Sequence, residues 1–185
     1  ILGDNMREKI LEMERYAKDY NVPIIEKESI AFIMKFIKEN NIKDILEIGS
    51  AIGYSAILMA SVSDKVTVTT IERDDTRYME CLKNVKKCEL EKRINVVCQD
   101  ALEMNLSGVS YDLIFIDAAK GKNTFFFNKF KDNLNDNGTI ITDNLSFHGL
   151  VEDESLVKTK NQRGIVNKIK DYINFLDNNT EFTTT

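Results

Sequence analysis

Eleven residues, Ile45-Leu46-Glu47-Ile48-Gly49-Ser50-Ala51-Ile52-Gly53-Tyr54-Ser55, constrain this chain more than any others. A short apolar run passes through a carboxylate into Gly-x-x-x-Gly, which reads as a buried strand, a tight turn and the start of a helix. The glycines let the backbone turn sharply and approach a ligand where a β-carbon would collide. Such a stretch suits a nucleotide-type ligand at the strand's C-terminal end. It is not the dinucleotide fingerprint G-x-G-x-x-G, because Ala51 holds the middle glycine's place and Glu47 precedes the turn. An NAD-dependent reductase is disfavoured on that ground.

Around this stretch the chain alternates between two periods. Segments 44–48, 65–71, 94–98, 111–116 and 138–142 are short and rich in Val, Ile and Thr, as strands are, and 181–185 begins another. Helical stretches separate them at 55–61, 75–88 and 124–134, with a brief turn after Asp100. Ile10, Met13, Ala17 and Tyr20 mark a first amphipathic helix ending before Pro23, and Ile30, Ile33, Met34 and Ile37 mark a second, closed by Asn40-Asn41. Ile165, Ile169, Tyr172, Ile173 and Leu176 give a last long helix. Strands alternating with helices predict a parallel sheet covered on both faces, with right-handed crossovers. The expectation is a single α/β domain over residues 1–185, doubly wound, with residues 1–43 as a helical cap.

At 185 residues the chain can bury a sizeable core. Lys and Arg total 25 against 30 Asp and Glu, so a nucleic-acid partner would have to use a local basic patch. Cys81, Cys88 and Cys98 are odd in number and lack C-x-x-C spacing, which predicts reduced, buried thiols in a cytoplasmic protein. No apolar run reaches membrane-span length and no signal-peptide pattern opens the chain, so no membrane partner is expected. The first residue is Ile, and the natural N-terminus is expected upstream.

Ligands of such sheets sit beyond the carboxyl ends of the strands, which singles out the residues just after each one. Glu72 ends 65–71 and suits ribose hydroxyls; a solvated helix cap is the plainer alternative, but the Gly turn 19 residues earlier favours the ribose. Asp100 could cap the turn it opens or accept from an adenine amino group. Asp117 follows Leu113-Ile114-Phe115-Ile116, and Asp143-Asn144 follows Thr139-Ile140-Ile141-Thr142. Adjacent parallel strands would gather two carboxylates and an amide oxygen into a hard-oxygen site for Mg²⁺; plain turn chemistry is the alternative for Asp143-Asn144. Lys120, three residues past Asp117, is a candidate base beside that cation, whereas Lys122 reads as an ordinary surface lysine. His148, the only histidine, reads as a rim residue rather than a catalytic imidazole. Phe125-Phe126-Phe127 and Phe130 read as helix core or a subunit face, not as a base-stacking platform. Lys158, Lys160 and Arg163, with Lys168 and Lys170 behind, form the one local basic stretch; it is a solvated face, or the phosphate contact if the substrate is a polynucleotide.

Taken in order, Leu46 to Ser55, Ile71-Glu72-Arg73, Gln99-Asp100-Ala101, Tyr111 to Lys120 and Thr142-Asp143-Asn144 resemble the cation-dependent, S-adenosylmethionine-dependent O-methyltransferases of the catechol and caffeoyl-CoA type. The resemblance covers nearly the whole chain. Val22-Pro23-Ile24-Ile25-Glu26 and Asp143 to Val151 look most like the bacterial tRNA 5-hydroxyuridine methyltransferase branch. It implies a Rossmann-like, class I methyltransferase fold. Gly49 and Gly53 would shape the loop under the methionine part of S-adenosylmethionine, with Glu47 beside them and Ile25 and Ser55 lining it. Glu72 would hold the ribose, and Asp100 with Ala101 would contact the adenine. Asp117, next to the cofactor, would ligate Mg²⁺ together with Asp143 and Asn144, and Lys120 would deprotonate the acceptor.

The activity so implied is Mg²⁺-dependent methyl transfer to a hydroxyl, foremost O5 of 5-hydroxyuridine at the tRNA wobble position, giving 5-methoxyuridine. A small catechol-like acceptor is the alternative, and a non-catalytic nucleotide-binding domain is the alternative of another class. His148, Lys158, Lys160 and Arg163 would form the substrate rim, and the resemblance implies a homodimer. Two departures stand out. The family's final strands, which carry a Gly-Asp-Gly turn, do not follow within the 185 residues, so the sheet's antiparallel edge is expected to be missing or to lie outside this sequence. The basic stretch is also modest for an RNA enzyme.

Overall fold

A computed structural model describes residues 3–118 and 120–185, apart from the side chain of Lys120. Two helices, α1 (Asp4–Asp19) and α2 (Lys27–Glu39), precede an alternation of β1 (Asp44–Ile48), α3 (Tyr54–Ala60), β2 (Thr67–Glu72), α4 (Asp75–Lys87) and β3 (Ile94–Cys98). The chain continues through β4 (Tyr111–Ile116), α5 (Asn123–Phe130), β5 (Leu134–Thr142) and α6 (Lys160–Asp177). All strand pairs are parallel, in the order β3-β2-β1-β4-β5. The chain winds outward from β1 through β2 to β3, then returns to the other side of β1 with β4. The strand order therefore switches between β1 and β4, where a crevice opens in such sheets.

Burial on both faces explains why the central strands are almost continuously apolar. Ile45, Leu113 and Phe115 join one core with the buried sides of α1 to α4, while Leu46, Ile48, Ile114 and Ile116 join the other with Phe126 and Phe130 of α5. Doubly wound packing follows directly from this split. The helical cap is tied to the sheet's helices by polar groups as well as by packing. The Tyr54 hydroxyl donates to Glu14 Oε1 at 2.8 Å, and Lys27 Nζ donates to Glu14 Oε2 at 2.7 Å, joining α1, α2 and α3. Burial raises the Tyr54 pKa and the Glu14 carboxylate raises it further, so the phenol stays a donor.

Several sequence expectations are corrected. Segment 181–185 is not a strand: Asn179 Oδ1 accepts the Glu181 and Phe182 N–H groups at 2.8 and 3.0 Å, and this turn occupies donors a ladder would need. Phe182 instead packs edge-on to Phe127, 5.2 Å between centroids. The helix expected over 124–134 stops at Phe130, a 3₁₀ turn Lys131–Asn133 follows, and β5 begins at Leu134, four residues before the expected Gly138. A register shift between Tyr111 and Leu113 and a left-handed Asn137 (φ 62°) absorb the Asn-Asp-Asn-Gly sequence into the strand. Tyr20, counted on the buried face of α1, is 68% exposed beyond the helix end. Cys81 and Cys88 are buried as expected, but Cys98 is exposed at the sheet's edge strand, with its thiol 3.2 Å from Asp75 Oδ1.

Candidate active site

The C-terminal edge of the sheet is stitched one residue beyond its strands. Asp143 N–H donates to the Ile116 carbonyl at 3.1 Å, Asp117 N–H to Ile48 at 3.0 Å, Gly49 N–H to Ile71 at 3.0 Å and Gln99 N–H to Glu72 at 3.0 Å. Four strand-end residues from four different turns are thus held in one row, which is what sequence position alone could not supply.

The β1–α3 turn is built on this row. Gly49 has φ +100°, and a β-carbon there would lie 2.2 Å from the Asp117 carbonyl oxygen. Gly53 caps α3 with φ +84°, and its β-carbon would meet Cys81 Sγ at 2.7 Å. Between them Ala51 takes a left-handed φ of 44°, unusual for a residue with a side chain, and its N–H donates to Glu72 Oε2 at 2.9 Å. Glu72 Oε1 accepts from the N–H groups of Arg73 and Asp74, each at 2.9 Å. A carboxylate has roughly four acceptor positions, so about one remains for a ligand hydroxyl rather than the pair the sequence suggested.

Beneath that turn, Glu47 is completely buried on the face it shares with Ile45, opposite Thr70 in register. Its two oxygens accept from the hydroxyls of Ser55 and Thr70. Burial lifts its pKa, the two hydroxyls oppose the rise, and the charges of Asp117 and Glu72 add to it, leaving Glu47 pushed up to about 7. Nearby, burial pushes the Cys81 thiol up to about 12, which keeps it protonated and unreactive.

A cavity of about 570 Å³ opens above the row, in the range of small-ligand sites. Gly49, Ala51, Glu72, Asp100 and Ala101 line one end; Asp117, Asp143, Asn144 and His148 line the other. The β4–β5 register pairs Ile116 with Thr142, so Asp117 and Asp143 are equivalent positions on adjacent strands. Asn144 sits at φ 57°, and its Oδ1 accepts the Phe147 N–H at 3.0 Å. Phe147 and His148 are also left-handed, at φ 48° and 58°. Backbone outliers of this kind cluster at ligand sites, and here they fall in the run of turns beside the cavity. Among the described residues no trio of His, Cys, Asp and Glu side chains is gathered for a metal. A cation here would rest on two carboxylates, the Asn144 amide and water, an all-oxygen set that fits Mg²⁺. Asp100 is the turn cap of the first reading: Oδ1 accepts the Leu102 N–H at 2.9 Å, while Oδ2 faces Arg73 at 3.5 Å and the residue lines the cavity.

Other expected site residues lie elsewhere. Glu47 and Ser55 turn toward each other below the floor, Gly53 packs on Cys81, and Ile25 is buried in the core while its neighbours Ile24 and Glu26 reach the wall. Lys158, Lys160 and Arg163 are not at the cavity wall; Arg163 faces Glu154 at 3.7 Å. Lys120 opens a 3₁₀ turn, Lys120–Lys122, but its side chain lies outside the described residues, so its proposed role as base does too. Conversely, Lys122, read as an ordinary surface lysine, lines the cavity, as do Phe126, Gln99 and Arg77. Gln99 was legible as the residue after β3, and Arg77 as one helical turn beyond Arg73; the inward side of α5 carried no such signal.

Comparison with known proteins bears on the family and the fold. The sequence model of the O-methyltransferase family matches residues 5–179. A Staphylococcus aureus crystal structure described as a caffeoyl-CoA O-methyltransferase superposes with a TM-score of 0.90 at 38% identity, covering 95% of this chain and 85% of that one. Tapetum-specific methyltransferase 1 of Arabidopsis thaliana is 29% identical over 82% of this chain and 67% of its own length. A catechol O-methyltransferase of Niastella koreensis is 32% identical over 61% of this chain and 54% of its own. The chain thus spans about half to two thirds of the length of the curated relatives it matches. No helix among the described residues is long and apolar enough to cross a membrane. With the family's sequence model spanning almost the whole chain and the strand-end row in the expected order, this chain belongs to the O-methyltransferase family.

Proposed function

We propose that this chain transfers a methyl group from S-adenosylmethionine to a hydroxyl oxygen that has a second oxygen beside it, assisted by Mg²⁺ or a similar divalent cation. The observation that supports this most is that one cavity wall carries both the Gly49–Ala51 turn with Glu72 and Asp100, and the Asp117, Asp143 and Asn144 oxygen set. When bound, S-adenosylmethionine would supply a sulfonium methyl that an oxygen nucleophile attacks in line, the C–S bond breaking as the O–C bond forms and S-adenosylhomocysteine leaving, with no covalent enzyme intermediate. A cation held by Asp117, Asp143 and Asn144 would lower the acceptor's pKa and orient its oxygen pair. Gly49 and Ala51 leave room for the methionine part, Glu72 accepts from the ribose, and Asp100 with Ala101 flanks the adenine. Lys120 takes the hydroxyl proton at Nζ, and His148 bounds the acceptor. Alignment of nucleophile and methyl group by these walls supplies much of the rate.

The acceptor we infer is 5-hydroxyuridine at the tRNA wobble position, whose O5 and O4 form such a pair. The Asp143–Val151 sequence that resembles the tRNA branch coincides with the strained loop bearing Phe147 and His148, which supports this choice. A small catechol-type acceptor is the second reading, favoured by the likeness to the Niastella koreensis catechol O-methyltransferase. Labelled S-adenosylmethionine incubated with hydroxyuridine-containing tRNA or a catechol, with and without EDTA, separates them. Transfer to tRNA that EDTA stops is the expected result. Transfer to catechol alone overturns the tRNA acceptor, and transfer undiminished by EDTA overturns the cation's part.

A further inference from the structure

A second hollow, about 790 Å³, runs along the outer side of α5 and is lined by Leu102, Lys122, Thr124, Phe125, Asn128 and Lys129. It adjoins the active-site cavity: Lys122 lines both, and Leu102 directly follows the cavity residue Ala101. Phe125 is 52% exposed there, although Phe126, Phe127 and Phe130 of the same helix are buried. Its ring stands edge-on to Phe126, with centroids 6.5 Å apart and planes at 89°. Lys129 is held against the helix by its ammonium, 5.7 Å from the centroid of the Phe130 ring.

An exposed aromatic flanked by two lysines, on a chain of net charge −5, is a local cationic and apolar combination against the overall charge. Single-stranded nucleic acids are bound by this combination: an aromatic side chain stacks a base, which is sequence-tolerant, and nearby cations meet the phosphates. A purely apolar partner would not call for the lysines, and a simple anion would not call for Phe125. We infer that this hollow binds another unpaired nucleotide of the RNA whose hydroxyuridine enters the active site, with Phe125 stacking its base and Lys122 and Lys129 meeting the backbone phosphates on either side. Thr124 and Asn128 supply hydroxyl and amide groups that suit a ribose or base edge. The inference rests on the RNA acceptor proposed above. It moves the RNA-binding face from the Lys158–Arg163 stretch to α5.

The test uses the full chain and a fluorescent anticodon stem-loop RNA carrying 5-hydroxyuridine, with free 5-hydroxyuridine as the second acceptor. Phe125→Ser should weaken stem-loop binding about tenfold, within the usual value of one stacked base, while methyl transfer to the free nucleoside is unchanged. Phe125→Trp should retain binding. Lys129→Gln should lower the slope of log affinity against log salt by about 0.7, one phosphate of a single strand. Equal stem-loop affinity of wild type and Phe125→Ser overturns the inference. So does a changed sedimentation coefficient in Phe125→Ser with RNA affinity intact, which would make the hollow a contact between two copies. If wild-type protein methylates a catechol and not the RNA, the acceptor reading itself fails and the hollow's role fails with it; RNA methylation with unaltered Phe125→Ser binding sinks only the latter.

Discussion

The backbone of Gly49 lies so close to Asp117 that a β-carbon on the glycine would come within 2.2 Å of the Asp117 carbonyl oxygen. The β1–α3 turn and the backbone of Asp117 are therefore in direct packing contact across the β1–β4 switch. Gly49→Ala must both separate them and hold φ near +100° with a side chain. Overpacking and left-handed strain together should cost about 3 kcal/mol. Urea denaturation would measure it, and a loss under about 0.5 kcal/mol would mean that the two segments yield easily.

Glu47 should make stability depend on pH. Its folded pKa of about 7 lies above the ordinary value of 4.5, so the folded state favours the protonated carboxyl. That contribution is complete below pH 4.5, falls as pH rises, and is gone above about 7. At 1.36 kcal/mol per pKa unit the loss is on the order of 3 kcal/mol. Glu47→Gln, neutral at every pH, should match wild type near pH 5 and exceed it at pH 8 in urea unfolding. Parallel pH profiles for the two proteins would rule out a protonated Glu47.

Tyr54→Phe removes the bond to Glu14 and should destabilise the chain by about 1 kcal/mol. The loss should concentrate in the helical cap, since Glu14 also receives Lys27 from α2. Hydrogen exchange should therefore quicken in α1 and α2 more than in β1 and β4. Uniform quickening would point to a global rather than a local effect.

Asp143→Ala is expected to lower methyl transfer by at least two orders of magnitude, since removing one charged stabiliser from a site commonly costs that much. Binding of S-adenosylmethionine, followed by calorimetry, should change little, because Asp143 lies at the opposite end of the cavity from Glu72 and Asp100. Lost cofactor affinity with retained turnover would reverse the roles given to the two ends.

Much of this molecule was legible in one dimension. Periodicity located β1, β3 and β4 to the residue, because buried parallel strands must be apolar on both faces. The rule that ligands sit beyond strand ends then picked out Gly49, Glu72, Asp100, Asp117, Asp143 and Asn144, all of which line one cavity. Tertiary structure decided what depends on which way a side chain points. Glu47 and Ser55 are in the fingerprint stretch but face downward, because pleating alternates sides and Glu47 shares the face of Ile45 rather than that of Ile48. Lys122 read as a surface lysine and Phe125 as helix core or a subunit face, yet the 3₁₀ turn Lys120–Lys122 and the rotation of α5 bring the first to the cavity and the second to the outer hollow. Segment 181–185 had strand composition but no strand, since a strand exists only by pairing, and Asn179 had already taken its first donors.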